Sequence, residues 1–200
     1  MNINKFISES IQQSIGVKQK ILADRSFIAL VGRVASAAVK VYRSGHKIML
    51  AGNGGSAADA QHIAGELVNR FRFNRPALPA IALSTDTSVM TSIANDSSFD
   101  SIFFRQVQAH GAKGDMFIGI STSGNSTNIL KALKQCRAMK ITTVGFTGQK
   151  RSKMTKLCDY CLAIPSSDTP RVQEAHIMVG HILCDIIEKS LFNLDHSRKA

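Results

Sequence analysis

Four short apolar runs, each ended by a polar loop, constrain this chain more than any other feature. Lys47–Ala51, Asp115–Ile120, Ile141–Phe146 and Tyr160–Ile164 read as strands. The first breaks at Asn53-Gly54-Gly55 and gives way to a helical pattern over Ser56–Arg70, with Ser56 placed to cap it. The second breaks at Ser121-Thr122-Ser123-Gly124-Asn125-Ser126 before a helix over Thr127–Met139. The third exits through Thr147-Gly148-Gln149. The fourth leads through Ser166-Ser167-Asp168-Thr169-Pro170 into a long helix that ends near Phe192. Leu78–Leu83 adds a further strand and Asp86–Ile93 a short helix. Near-continuous apolar strands that alternate with helices need a parallel sheet covered on both faces. The expected fold is therefore α/β, a three-layer, Rossmann-like sandwich.

Two helices precede this core. Phe6, Ile7, Ile11, Ile15 and Val17 mark an apolar face on the first, and Phe27, Leu30, Val31, Val34, Ala38 and Val41 mark one on the second. With 200 residues and no low-complexity linker, one domain over 1–200 is expected: helices over about 2–44, then a sheet core and final helix over about 45–192. No segment approaches the roughly 18 apolar residues of a membrane span. The first residues lack the apolar run of a secretory signal, so a cytoplasmic location is expected.

The formal charge of +11 raises the question of an anionic partner. Its placement is uneven: residues 1–50 and 111–160 carry +6 and +7, whereas 51–110 and 161–200 are each −1. The densest cluster is Lys150, Arg151, Lys153 and Lys156. No aromatic residues interleave with it as a stacking platform for single strands requires, which argues against nucleic acid. Cys158 and Cys161 form a C-x-x-C without a second pair at zinc-ribbon spacing, and the run continues into an apolar strand. Structural thiols in a reducing compartment are the expectation.

In a parallel sheet, ligands bind beyond the carboxyl ends of the strands, where these polar breaks lie. At Asn53-Gly54-Gly55-Ser56, backbone N–H groups can approach an anion at a helix start without obstruction by Cβ atoms. The loop Ser121–Ser126 gathers four hydroxyls and an amide around one glycine. Neither loop is a dinucleotide fingerprint or a Walker loop. Either alone would serve as a tight turn with capping side chains. Two at one sheet edge point to a small phosphorylated ligand.

His62 and Glu66 stand four apart, on one face of the helix that the first loop opens. Gln173, Glu174, His176 and His181 lie on the last helix. A histidine and a carboxylate at i,i+4 with a second histidine could hold a divalent metal, or act as base and acid. Gln173 and His181 are about 12 Å apart along a helix and roughly 80° around it. They reach one metal only with extended side chains or if a second subunit supplies one of them.

The run Ala51–His62, with Ile63–Glu66, Asn95-Asp96, the Ser121–Ser126 loop and Gln173 through His181, closely resembles the phosphoheptose isomerase family of sugar isomerase (SIS) domains. The likeness extends from about residue 25 to 192. The resemblance implies conversion of sedoheptulose 7-phosphate to D-glycero-D-manno-heptose 7-phosphate, toward activated heptose for lipopolysaccharide or surface polysaccharide. It further implies a cytoplasmic homotetramer with interface sites and one zinc ion per subunit. Carried over by position, zinc would be held by His62, Glu66, Gln173 and His181. Substrate would meet Asn53, Gly54, Gly55, Ser56, Glu66, Asn95, Asp96, Ser121, Thr122, Ser123, Ser126 and Gln173. Glu66 would be the base of an enediol proton transfer and His181 its acid partner. Two rival expectations come from the same superfamily. One is a non-catalytic SIS tetramer that binds the bacterial replication initiator; the other is a sugar-phosphate sensor.

Overall fold

The computed structural model describes residues 1–148 and 151–192. Gln149 of the third strand's exit and Lys150 of the basic cluster lie outside the described residues. The elements are α1 (Ile3–Ala23), α2 (Arg25–Arg43), β1 (Ile48–Gly52), α3 (Gly55–Val68), β2 (Ala80–Ala82), α4 (Thr87–Asp96), α5 (Ile102–His110), β3 (Met116–Ile120), α6 (Thr127–Ala138), β4 (Thr142–Thr147), β5 (Tyr160–Ala163) and α7 (Thr169–Phe192). Among the described residues, the five strands are all parallel, in the order β2-β1-β3-β4-β5.

Residue alternation along the strands builds the two faces. Ile48 and Leu50 of β1, with Met116, Ile118 and Ile120 of β3, pack with α2, α3 and α7 through Val34, Ala38, Ile63, Leu67, Val179 and Leu183. Met49, Ala51 and Phe117 point the other way, into Phe103 and Val107 of α5 and Ile129 and Leu133 of α6. The result is the expected three-layer sandwich. The winding reverses between β1 and β3, the crevice where such sheets bind ligands. Gly52 pairs with Ile120, so the chain leaves both strands side by side.

Three expectations need correction. Helix α5 lies in a stretch to which the periodicity assigned nothing; its inward residues Ile102, Phe103, Gln106 and Val107 repeat over barely two turns. Ser56 does not cap α3: the cap is Gly54, at φ +54°, and Ser56 is buried inside the first turn. A positive φ there suits only a residue without a Cβ, and the helix starts at Gly55, one residue earlier than expected. Finally, the apolar face of α1 is not buried within the chain. Phe6, Ile7, Ile11 and Ile15 are 40–55% exposed, and only Val17 and Ile21 pack inward. Among the described residues, no helix is long and apolar enough to cross a membrane.

Candidate active site

Two loops leave the sheet at the winding reversal, and a pair of amides ties them together. Asn53 Nδ2 donates to Asn128 Oδ1 at 3.0 Å, and Asn128 Nδ2 donates to Asn53 Oδ1 at 2.8 Å. Asn128 is buried in the first turn of α6, where Oδ1 also accepts from Ile129 N. Sequence reasoning missed it. The only available signal was its place directly behind the serine loop.

The serine loop is internally knit. Ser121 and Ser126 hydroxyls are 2.9 Å apart, and Ser123 Oγ accepts from Asn125 N at 3.2 Å. Gly124 turns at φ +63°, and a Cβ there would meet Ser152 and Thr147. Neither α3 nor α6 has a side-chain cap at its start. In the first turn of α3, Ser56 N and Ala57 N already donate to Asn53 O and Gly54 O, and in that of α6 Ile129 N donates to Asn128 Oδ1. What each helix start offers an anion is the positive end of its dipole and its remaining N–H groups. Of the residues expected here, Asn53, Gly54, Gly55, Ser121, Thr122, Ser123 and Ser126 share the carboxyl edge. Ser56 is buried against Gly52.

Helices α3 and α7 run parallel, and this places the ionisable residues. His62 Nε2 lies 2.8 Å from His181 Nε2 and 3.3 Å from Glu66 Oε1. Ligand atoms of the three fall within 4.8 Å of one another. The His62 and His181 rings meet edge to face at 5.0 Å, and Phe71 stacks on His181 at 5.5 Å. Three lone-pair donors converging from two helices fit a zinc ion, which takes nitrogen and oxygen ligands at about 2.0–2.2 Å. The His62 side chain is 48% exposed, so this centre is open to solvent on one chain.

The other expected residues stand apart. The Gln173 amide packs over Gly55, where an added Cβ would lie 2.5 Å from Nε2. That leaves it about two helical turns from His181. Asn95 and Asp96 are exposed at the end of α4 and bond to each other at 2.8 Å. Asp59, also missed, lies one turn before His62; burial pushes its carboxyl up to about 6, and His62 partly offsets this. His176 is fully buried and held down to about 4 by desolvation, which suits a neutral core histidine beside Phe146. Burial likewise pushes Cys136 and Cys184 up to about 12, as expected for structural thiols.

The SIS domain family model matches residues 24–148. Phosphoheptose isomerase of Aneurinibacillus thermoaerophilus is 57% identical over 190 residues, covering 95% of this chain and 96% of that protein. The chain belongs to the phosphoheptose isomerase family of SIS domain proteins. Phosphoheptose isomerase 2 of Campylobacter jejuni is 54% identical over 198 residues, with 99% and 98% of the two chains covered. Among solved structures, the family's member from Neisseria gonorrhoeae superposes with a TM-score of 0.88 at 36% identity, covering 94% of this chain and all of that one. The Francisella tularensis member gives 0.90 at 33% identity, with the same coverage. The chain is thus an aldose–ketose isomerase by family, and the candidate site can be read against that chemistry.

Proposed function

We propose that the chain interconverts sedoheptulose 7-phosphate and D-glycero-D-manno-heptose 7-phosphate at the His62–Glu66–His181 cluster. The observation that carries this reading is the convergence of His62 Nε2 and Glu66 Oε1, on the helix that the Asn53-Gly54-Gly55 loop opens, with His181 Nε2 of α7. The phosphate sits at the serine loop, held by Ser121, Thr122, Ser123 and Ser126 and by the N–H groups of Thr127 and Asn128 at the start of α6. No lysine is needed there. Asn53, Gly54, Gly55, Asn95 and Asp96 meet the sugar.

Isomerisation moves one proton between adjacent carbons and redistributes another between their oxygens. Glu66 takes the proton from C1, leaving an enediol, and returns it to C2. His181 gives a proton to the C2 oxygen and accepts one from the C1 oxygen, so the balance closes. Glu66 Oε1 faces His62 at 3.3 Å, and its second oxygen serves the carbon. His62, Glu66 and His181 would hold one zinc ion per subunit, which when bound polarises the substrate oxygens. Gln173 of a second copy supplies the remaining ligand, because within one chain it lies over Gly55.

A shared site requires an assembly, and a homotetramer is the proposed state. The exposed stripe Phe6, Ile7, Ile11 and Ile15 on α1 is the surface that supports it. Location in the cytoplasm and supply of activated heptose for surface polysaccharide complete the reading. A tetramer that only binds the replication initiator, or a sensor, would leave the cluster without a task. The decisive experiment is turnover of sedoheptulose 7-phosphate with and without a chelator, alongside Glu66→Gln and His181→Gln. Unchanged turnover in both variants would overturn it.

A further inference from the structure

The segment after α3 is clamped by a buried ion pair that the proposed chemistry does not use. Glu188 of α7 and Arg75 each have side chains 1% exposed, with Glu188 Oε1 3.0 Å from Arg75 Nε. Both Glu188 oxygens and all three Arg75 guanidinium nitrogens have partners. Glu188 accepts from Phe71 N at 2.9 Å and from Arg72 N at 2.7 Å. Arg75 Nη2 donates to the Glu66 carbonyl at 2.8 Å, and Nη1 to Leu67 O at 2.7 Å and Pro76 O at 3.0 Å. Burial alone would raise the Glu188 carboxyl, but the two N–H groups and Arg75 outweigh it and hold the group below its ordinary range.

This clamp grips the cluster at two points. At one end is the backbone of Glu66 itself. At the other is Phe71, whose ring stacks on His181 with an interplanar angle of 25°. Arg72 covers the Phe71 ring, its guanidinium 5.0 Å from the centroid, and reaches Asp185 at 3.7 Å. Glu188 stands seven residues beyond His181, so the clamp and the histidine occupy the same face of α7. A buried ion pair is poor value for stability alone, since desolvation offsets most of its attraction. Its return here is geometric: it determines where Phe71 sits, and Phe71 limits the plane His181 can adopt.

We propose that Phe71, fixed at its backbone by the Glu188–Arg75 pair, is a positioning residue that holds His181 in the orientation needed for metal binding and proton transfer. This rests on the metal and isomerase reading above. Groups that orient metal ligands from behind typically change metal affinity by about 10–100-fold when removed.

The test uses the intact protein, with zinc affinity measured by competition against a chromophoric chelator and kcat and KM measured on sedoheptulose 7-phosphate. Phe71→Leu preserves apolar bulk but removes the ring. It is expected to weaken zinc binding about tenfold or more and to lower kcat, with KM within about twofold because the serine loop is untouched. Phe71→Tyr keeps the ring and is expected to restore both values to near wild type. Wild-type zinc affinity and kcat in Phe71→Leu would overturn the proposal, as would equal damage in Phe71→Tyr. His62→Ala separates this from the underlying reading, since equal zinc affinity in wild type and His62→Ala would remove the metal site. In that event the kcat arm decides: a loss in Phe71→Leu regained in Phe71→Tyr sustains the positioning role, and no loss ends it.

Discussion

Asn53 and Asn128 exchange two side-chain hydrogen bonds across the reversal of the sheet's winding, 75 residues apart in sequence. One residue belongs to a loop proposed to contact the sugar, and the other to the helix behind the loop proposed for the phosphate. The exchange ties the two loops together.

Asn128→Ala removes both hydrogen bonds of this link and leaves the Asn53 amide short of its partner. We expect a fall in kcat/KM of about tenfold or more, on the scale of a lost buried hydrogen bond. A stability loss of about 1–3 kcal/mol should accompany it. Steady-state kinetics and urea unfolding check the two parts separately. Unaltered kinetics would show that the loops hold their spacing without the amide pair.

Glu66→Gln and His181→Gln should each lose at least about a hundredfold in kcat, the scale of a removed acid–base group. Chelation should lower wild-type activity, and zinc should restore it. If only chelation has an effect, proton transfer belongs to other residues.

Arg75→Met leaves the Glu188 carboxylate buried without its cation. Such a broken pair costs about 3–5 kcal/mol, which thermal or urea unfolding would register. Replacing both partners with apolar residues should be milder. A single variant as stable as wild type would mean that the two backbone N–H groups suffice for Glu188.

Asp115 gives the acid side of the stability profile a specific origin. Burial raises its carboxyl, but Lys47 Nζ at 2.7 Å and the N–H groups of Lys47 and Ala112 lower it further, with a net shift downward. A carboxyl whose pKa is lower in the folded state stabilises fully above its unfolded value of about 4. That contribution is lost as the pH falls through the folded value. Unfolding free energy should therefore drop below about pH 4, and less steeply in Asp115→Asn. Equal slopes would assign the acid sensitivity to other carboxylates.

Ile7→Lys with Ile11→Lys places two charges on the exposed face of α1. We expect the assembly to dissociate, as read by sedimentation, with activity falling in step because Gln173 would no longer be supplied from a second copy. An intact, active assembly would move the contact elsewhere.

Much of this molecule was legible locally. The strands at Ile48–Gly52 and Met116–Ile120 are too short and too apolar to be anything but buried, and their loops carry the glycines and hydroxyls of the proposed phosphate site. His62 and Glu66 were readable together because i,i+4 spacing on a helix is itself a contact. Helix α5 escaped because two turns leave too few repeats to establish a period. Phe71 and Arg75 escaped because they follow α3 in a segment without regular periodicity. Glu188 did share a face with His181, but an acidic residue near a helix end reads as solvated until its burial is seen.

The linear order of residues determined the parallel sheet, the two phosphate-type loops and the candidate chemistry, because backbone preference and side-chain periodicity act over a few residues. Tertiary structure decided who meets whom. Parallel packing of α3 on α7 brings His181 to His62 across 119 residues and carries Gln173 to Gly55 instead. It also buries Glu188 against Arg75. Those pairings depend on the relative depth and rotation of two packed helices, set by residues such as Ile63 and Gly180 at their contact, and no local pattern encodes them.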